Sequence, residues 1–352
     1  LILERYLIRE ITKPMLFGVG LLVLVFAGYT SAVKLAQAAE GLLEPGMVIR
    51  LIALNTLIAL EVLLPTALYL SIISSLGRLY RDSEVAALNA AGFSEFGILK
   101  SVVILSLVTA AVVAVISVYG RPWAYQQSYR IEAEAIAEFD INRLQSGQFF
   151  ELQDNRYVLY AEGVDRGRSQ LTGVFMQNDE PGKSRIIYAK TAFMPDTLPG
   201  EPRSVEFLDG YAYVLDQTGS KDTVLRFGAL IMRLEEDART ASRKRKALPT
   251  AQLSLSDDPK EIAEFQWRLS TPLATLLLAM LAVPLARSAP RESRHTSFIV
   301  AVLVYIGFFN LAGIARNWVE QGTVNPWPGI WWVFGLAFAL WLLLMFRPGV
   351  RR

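Results

Sequence analysis

The sequence contains no cysteine and a single histidine, His295, among 352 residues. Without thiols there is no disulfide, no thiolate nucleophile and no cysteine-ligated metal. One imidazole cannot build an HExxH zinc site. A complete phosphate-binding GxxxxGK[ST] run is missing as well. Gly182-Lys183-Ser184 has the end of such a motif, but Gln177 stands where its first glycine belongs, and the triplet falls in a turn between strand-like runs. Any ATP hydrolysis must therefore come from another subunit. An excess of one charge sign is also lacking: 35 Lys and Arg against 33 Asp and Glu leave +2. That total carries no nucleic-acid footprint.

Apolar residues are abundant. Hydrophobic residues make up 53% of the chain, and the mean hydropathy of +0.33 is too high for a soluble protein of this length. A hydrocarbon core of ~30 Å needs roughly 20 helical residues. Residues 14–33, 98–118, 271–285, 297–315 and 329–346 read as spans. The stretch 47–80 is too long for one upright span and contains Glu61 and Pro65. It predicts a kinked or interfacial lead-in followed by a span over about 60–79, making six spans in all. The N-terminal basic residues, apolar run and Ala36-Gln37-Ala38 mimic a signal peptide. The run is longer than a signal core, however, and Lys34 interrupts it before the cleavage site, so it is read as a retained span. Leu1 in place of methionine reads as a chain whose initiator lies upstream.

Basic residues set the orientation. Arg5, Arg9 and Lys13 precede the first span, and Arg78, Arg81 and Lys100 lie between the second and third. Arg287, Arg291 and Arg294 lie between the fourth and fifth, and Arg347, Arg351 and Arg352 follow the sixth. The opposite short connections hold only Lys34, Arg50 and Arg316. Both termini are expected to be cytoplasmic and the polar middle of the chain external.

That middle, residues 120–268, has the size of one domain. Its first part, 120–140, reads as a helical extension of the third span. Beyond Gly147, alternating runs take over. Residues 149–152 and 157–160 flank the turn Asp154-Asn155, and 171–177, 185–193, 204–215 and 223–234 follow between Gly/Pro turns. Repeated strands without helices predict a sandwich, barrel or jelly roll. Arg243-Lys244-Arg245-Lys246 reads as a solvated linker or as a contact for anionic headgroups or a partner. Asp258-Pro259 should start a short helix that leads through Trp267 and Arg268, an interfacial anchor pair, into the fourth span.

Few residues stand out as functional candidates. In the segment from Arg81 to Phe93, Ser83 can cap a short Ala-rich helix over about 82–92, Glu84 suits its first turn, and Gly92 suits the position after its end. This is either a tight connecting helix or a knob that docks into an ATPase, with Ser83, Glu84 and Leu88 on the contact. Glu61 either sits at the interface or faces a cavity. Lys34 and Arg316, at the outer ends of spans one and five, are either snorkelling anchors or ligands for lipid phosphates.

Further residues carry a resemblance. The N-terminal Glu4-Arg5-Tyr6-Leu7-Ile8-Arg9-Glu10, the run from Lys34 to Leu43, and Gly77-Arg78-Leu79-Tyr80 with Asp82-Ser83-Glu84 are three of the motifs. With Trp267-Arg268-Leu269-Ser270 and Val283-Pro284-Leu285, they resemble the LptF/LptG permease family of the lipopolysaccharide export ABC transporter. The resemblance covers the whole chain, and the Ala-Gln-Ala-Ala-Glu-Gly-Leu-Leu run looks more like the LptF branch. It implies a multi-pass inner-membrane α-helical protein with six transmembrane helices (3+3) and an inserted periplasmic all-β jelly-roll domain. Residues 1–119 and 269–352 would form the membrane part. It further implies an LptG heterodimer partner, an LptB ATPase dimer that uses the ATP and Mg, LptC, and an LptA bridge reached through the jelly roll. No cofactor of the chain's own is implied. Glu84 falls at the family's coupling glutamate, and Lys34, with Arg316 as a second candidate, falls where lipid phosphates are met. The acyl-chain path in the β domain is assigned to Tyr157, Leu159, Phe175 and Ile187.

Overall fold

The computed structural model describes residues 2–39, 43–137, 146–147, 149–152, 157–165, 170–180, 183–193, 204–216, 222–233, 245–287 and 294–346. The chain divides into two compact units. Leu1–Val33, Ile49–Arg130 and Ser242–Arg352 form one, and Lys34–Val48 with Ile131–Ala241 form the other. The β unit is thus narrower than residues 120–268, because the helix after the third span and the return segment group with the helices.

The helical unit contains α1 (Ile2–Ala39), α2 (Pro45–Arg81), the short α3 (Glu84–Ala90) and α4 (Glu95–Val115). A π-helical turn, Ile116–Gly120, joins α4 to α5 (Arg121–Ala137). After the β unit come α6 (Thr250–Leu253), α7 (Pro259–Leu285), α8 (Arg294–Glu320) and α9 (Trp331–Met345). Among the described residues, five helical stretches are long and apolar enough to cross a membrane: α1, α2, α4 continued through α5, α7 and α8. The sixth apolar helix, α9, has 15 residues, or about 22 Å at the α-helical rise. The second span has no separate lead-in. α2 runs unbroken for 37 residues through Pro65, about 55 Å long and well beyond one hydrocarbon thickness.

Two of the prolines inside these helices, Pro14 and Pro272, are accommodated by hydroxyls from neighbouring helical segments. A proline cannot donate to the carbonyl four residues earlier, and in an apolar surrounding that oxygen needs another partner. Pro14 leaves the Glu10 carbonyl free, and Ser75 Oγ on α2 donates to it at 3.1 Å. Pro272 does the same to the Arg268 carbonyl, which lies 3.0 Å from Ser117 Oγ in the π turn. At its start α7 has Asp258 accepting from the Lys260 amide at 3.0 Å, with Pro259 as the first helical residue. It is one continuous helix, not a short helix leading into a span. Leu278, Leu281 and Ala282 of α7 pack in one core with Leu68, Ile72 and Leu76 of α2 and Ile98 and Val102 of α4.

The β unit is one antiparallel sheet in the order β1-β2-β3-β4-β5-β6. Its strands are Phe149–Leu152, Tyr157–Asp165, Gln170–Glu180, Lys183–Phe193, Ser204–Asp216 and Thr223–Arg233. The expected jelly roll takes the form, among the described strands, of a meander with a crease. Pairing skips Glu162 and Gly173 between β2 and β3, Gly173 and Lys190 between β3 and β4, Lys190 and Asp209 between β4 and β5, and Asp209 and Gly228 between β5 and β6. Five strands therefore each carry one extra residue at the same level. Gly173 and Asp209 there take left-handed backbone, with φ of 58° and 50°. Alternation alone would swap faces across such an insertion. Here the buried apolar positions step by two on either side of the crease and by three across it. One face stays apolar throughout, and Leu159, Ala161, Leu171, Val174, Met176, Ile187, Ala189, Ala192, Val205 and Phe207 join one cluster. The other face carries a cross-strand aromatic row, Phe149, Tyr160, Phe175, Tyr188 and Tyr211, ending at Arg226.

Candidate functional site

α3 is a small-residue projection with a defined exit. Ala86, Ala87, Asn89 and Ala90 are exposed, Leu88 is half-buried, and Val85 anchors the helix in the core. Gly92, at φ 84°, donates to the Asn89 carbonyl at 3.0 Å, and Phe93 donates to that of Leu88 at 2.9 Å. This is the Schellman termination that a glycine permits. Ser83 precedes the helix but does not cap it: it adopts left-handed backbone, and its side chain makes no cap hydrogen bond. Glu84 accepts instead from Tyr6 Oη at 2.8 Å. The N-terminal part of α1 makes two further ties, Glu4 to Lys100 at 2.8 Å and Glu10 to Arg78. Its Leu7 and Ile11 are buried between them. The first turns of α1 therefore bind α3, the end of α2 and the start of α4.

Lys34 Nζ lies 3.3 Å from Glu132 Oε1, with both side chains mostly shielded. Arg316 is held more firmly. It bonds Glu264 Oε2 and Glu320 Oε1, each at 2.9 Å, and stacks 5.0 Å from the Trp267 ring centroid.

Arg316 borders a buried ionic cluster that sequence reasoning did not find. Glu61 is 3% exposed, so it is neither interfacial nor isolated. Both its oxygens lie 3.2 Å from Arg121 Nη1, and Thr271 Oγ1 lies 3.2 Å from one of them. Ser117 Oγ, 2.8 Å from Glu61, shares its one proton between that carboxylate and the Arg268 carbonyl. Glu264 receives Arg121 at 3.2 Å and Arg268 at 3.1 Å. Arg268 is 0% exposed and is no interfacial anchor. Its Nη1 donates to Leu248 O at 2.8 Å and to Thr250 Oγ1 at 3.0 Å, and its Nη2 to Lys246 O at 3.0 Å and Arg245 O at 3.4 Å. The described half of the basic run is thus not a solvated linker. Residues 245–247 are helical and their backbone is captured, while Arg243 and Lys244 lie outside the described residues. Burial, then the neighbouring Arg121, pushes the Lys246 ammonium below its ordinary range, and this group sits 5.5 Å from the Tyr125 ring centroid. The Glu264–Arg268 spacing of four is legible on a helix. Glu61 and Arg121, whose partners are remote in sequence, gave no such signal.

In the β unit, Leu159 and Ile187 share the buried apolar face and stand in one row with Met176 and Ala212. Phe175 does not join them. Its neighbours Val174 and Met176 point inward, so Phe175 pairs with Tyr160 and Tyr188 on the opposite face. Tyr157 opens β2, but its side chain lies outside the described ones, as do the turn Asp154-Asn155 and the side chain of His295. Among the described residues no group of three or more His, Asp or Glu could hold a metal.

Long apolar helices interrupted by a β unit with one apolar face define a multi-pass membrane protein with an inserted β domain. The family model described as "Lipopolysaccharide export system permease LptF/LptG" matches residues 5–347, and the chain belongs to that family. It is 28% identical over 364 residues to the lipopolysaccharide export system permease protein LptF of Escherichia coli K12, covering 100% of this chain and 97% of that protein. The LptF protein of Shigella flexneri gives the same identity and coverage.

Proposed function

We propose that the chain is the LptF-type subunit of an ATP-driven exporter that takes lipopolysaccharide from the outer leaflet of the inner membrane. The lipid then passes through the β domain toward the outer membrane. The observation that carries this reading is the creased sheet, whose apolar face is continuous across five strands and suits acyl chains. In this reading both termini and α3 are cytoplasmic and the β unit is periplasmic. ATP and Mg are used by a separate LptB-type ATPase, and α3 is the knob that it receives. Exposed alanines around Glu84 allow close approach, and the carboxylate offers a charge-assisted bond to a basic residue of the ATPase. An LptG-type partner covers the exposed apolar faces of α1 (Leu16, Leu24) and α8 (Leu303, Ile306). β6 is an edge strand with exposed Val224 and Ile231, a template for pairing with a neighbouring sheet of LptC or LptA type.

Lys34 is the first contact for lipid phosphates, exchanging Glu132 for the lipid. Arg316 can serve only by releasing Glu264 or Glu320. The test is reconstitution of the complex with lipopolysaccharide. Glu84→Ala should weaken ATPase association at least tenfold. Lys34→Asp should leave assembly intact and reduce crosslinking of lipopolysaccharide to the spans. Unchanged association and export in Glu84→Ala would remove the coupling assignment, and normal crosslinking in Lys34→Asp would remove the phosphate assignment.

A further inference from the structure

The ionic cluster lies within the helical unit and joins the two segments that flank the β domain in the sequence. The outgoing connection is the π turn Ile116–Gly120 followed by α5. The returning connection is residues 245–250. π turns are uncommon and recur at functional sites, and this one has its neighbours tied from several sides. Ser117 faces Glu61 and the Arg268 carbonyl. Val118 O accepts from Thr250 Oγ1 at 2.8 Å. Arg121, the first residue of α5, is held by Glu61 and Glu264.

Arg268 completes the arrangement. A guanidinium has five N–H donors in a fixed fork, and each has an acceptor here: one carboxylate, the Thr250 hydroxyl and three carbonyls of the return segment. Glu264 joins Arg268 to Arg121, so the two connections are linked through one carboxylate. A general need for stability would be met as well by apolar residues, since buried ion groups are weak stabilisers. Their directional contacts hold two backbone segments in a defined spacing.

We propose that Arg268 and Glu264 are positioning residues for lipid transfer. They hold together the two segments of the helical unit that flank the β domain in the sequence, and lipid transfer beyond the spans depends on that hold. The proposal rests on the export reading above. It predicts a specific defect, in which ATP is still consumed but lipid is not handed on.

The test uses the whole export complex in lipopolysaccharide-containing proteoliposomes, with photo-crosslinkers at Leu24 in α1 and at Ile187 in the sheet. Lysine keeps the charge of Arg268 but has three donors and no fork. Arg268→Lys should assemble and keep ATP turnover within about twofold, because α3 and its contacts are untouched. Crosslinking at Ile187 per ATP hydrolysed should fall at least fivefold, while crosslinking at Leu24 persists. The chain has no cysteine, so within it a bis-maleimide joining Gln126→Cys to Ala251→Cys, on the two walls of the cleft beside the cluster, reacts only with that pair, and the tether is installed on this subunit before the complex is assembled. This tether should restore transfer in Arg268→Lys. Wild-type transfer efficiency in Arg268→Lys overturns the brace. So does loss of assembly and ATP turnover together with transfer, and so does a tether that restores nothing. If the wild-type complex itself gives no ATP-dependent crosslink at either position, the export reading fails instead.

Discussion

Replacing Gly210 by alanine tests whether the crease has the geometry assigned to it. Gly210 sits in β5 beside the skipped Asp209 and pairs with Ala189 and Phe227. A methyl group there would overlap the carbonyl oxygen of Tyr188 and lie 2.6 Å from Phe227 Cζ and 3.0 Å from Ala189 Cα. The first and last of these belong to backbone in the middle of the sheet, so relief must come from moving a strand. Overpacking costs about 1–3 kcal/mol when side chains can yield, and a backbone obstacle places this change near the top, at ~2–3 kcal/mol. At tenfold per ~1.4 kcal/mol, the opened form of the sheet becomes roughly 30- to 150-fold more populated.

Gly228, skipped at the same crease on β6, is the matched control, because a methyl there meets nothing within 4 Å. Gly228→Ala should be neutral, or stabilising by up to ~1 kcal/mol through the unfolded chain. All seven tryptophans lie outside Ile131–Ala241, so fluorescence would report the helices. Limited proteolysis of the full-length protein in detergent is the suitable assay, since cleavage of a transiently opened region follows its population. Equal protease resistance of the two variants, or a Gly210→Ala rate within twofold of wild type, would refute the crease argument.

Two other perturbations follow from the same structure. Tyr6→Phe removes the donor that occupies Glu84 Oε2 at 2.8 Å. With that carboxylate released, affinity for the ATPase of the proposed exporter should rise by about two- to fivefold, the low end of the ~0.5–1.5 kcal/mol net worth of a hydrogen bond, since this one is exposed. Titration of the purified permease with the ATPase measures it, and weaker binding would show that Tyr6 is needed to orient Glu84. Ser75→Ala should cost about 1 kcal/mol by leaving the Glu10 carbonyl unpartnered, whereas in a Pro14→Ala background the restored amide supplies that bond and the cost should vanish. A thermal-unfolding double-mutant cycle with additive effects would disprove the pairing.

The spans were legible because an apolar run of about 20 residues has few alternatives. The continuity of α2 was not, since Pro65 reads as a break wherever the fate of its lost hydrogen bond is unknown. Strand positions were legible from alternation and turn residues, but the inward face was not. Phe175 was assigned to the acyl-chain path on its apolar character, and register places it on the opposite face from Leu159. Two neighbouring residues, Phe175 and Met176, are equally apolar, so only pairing decides between them. The crease left traces in Gly163, Gly173, Asp209-Gly210 and Gly228, yet a glycine in a strand marks a bulge without giving its level. Ser83 misled for a related reason: residue type favours capping, but the left-handed turn that ends the connection from α2 turns its side chain away from the helix amides.

The polar groups within the helical unit follow a common logic that explains why they resist sequence reading. Pro14 and Pro272 each release a carbonyl, and Ser75 and Ser117 on other helices take it up. Neither serine has a local signal, because the group it serves is created by a proline 61 and 155 positions away in the sequence. Arg268 repeats the pattern on a larger scale, with its fork closed on carbonyls 20 to 23 positions earlier. Such pairings contribute little to net stability, because desolvating each group offsets most of what its partner returns. They discriminate strongly between arrangements, since an alternative helix register would strand a buried carbonyl or a guanidinium. A bundle with α1 and α8 exposed along their apolar faces has few packing constraints on those helices from within the chain. Directional polar contacts supply the constraint that apolar packing leaves out, and among the described residues they concentrate on the helical segments that flank the β domain in the sequence.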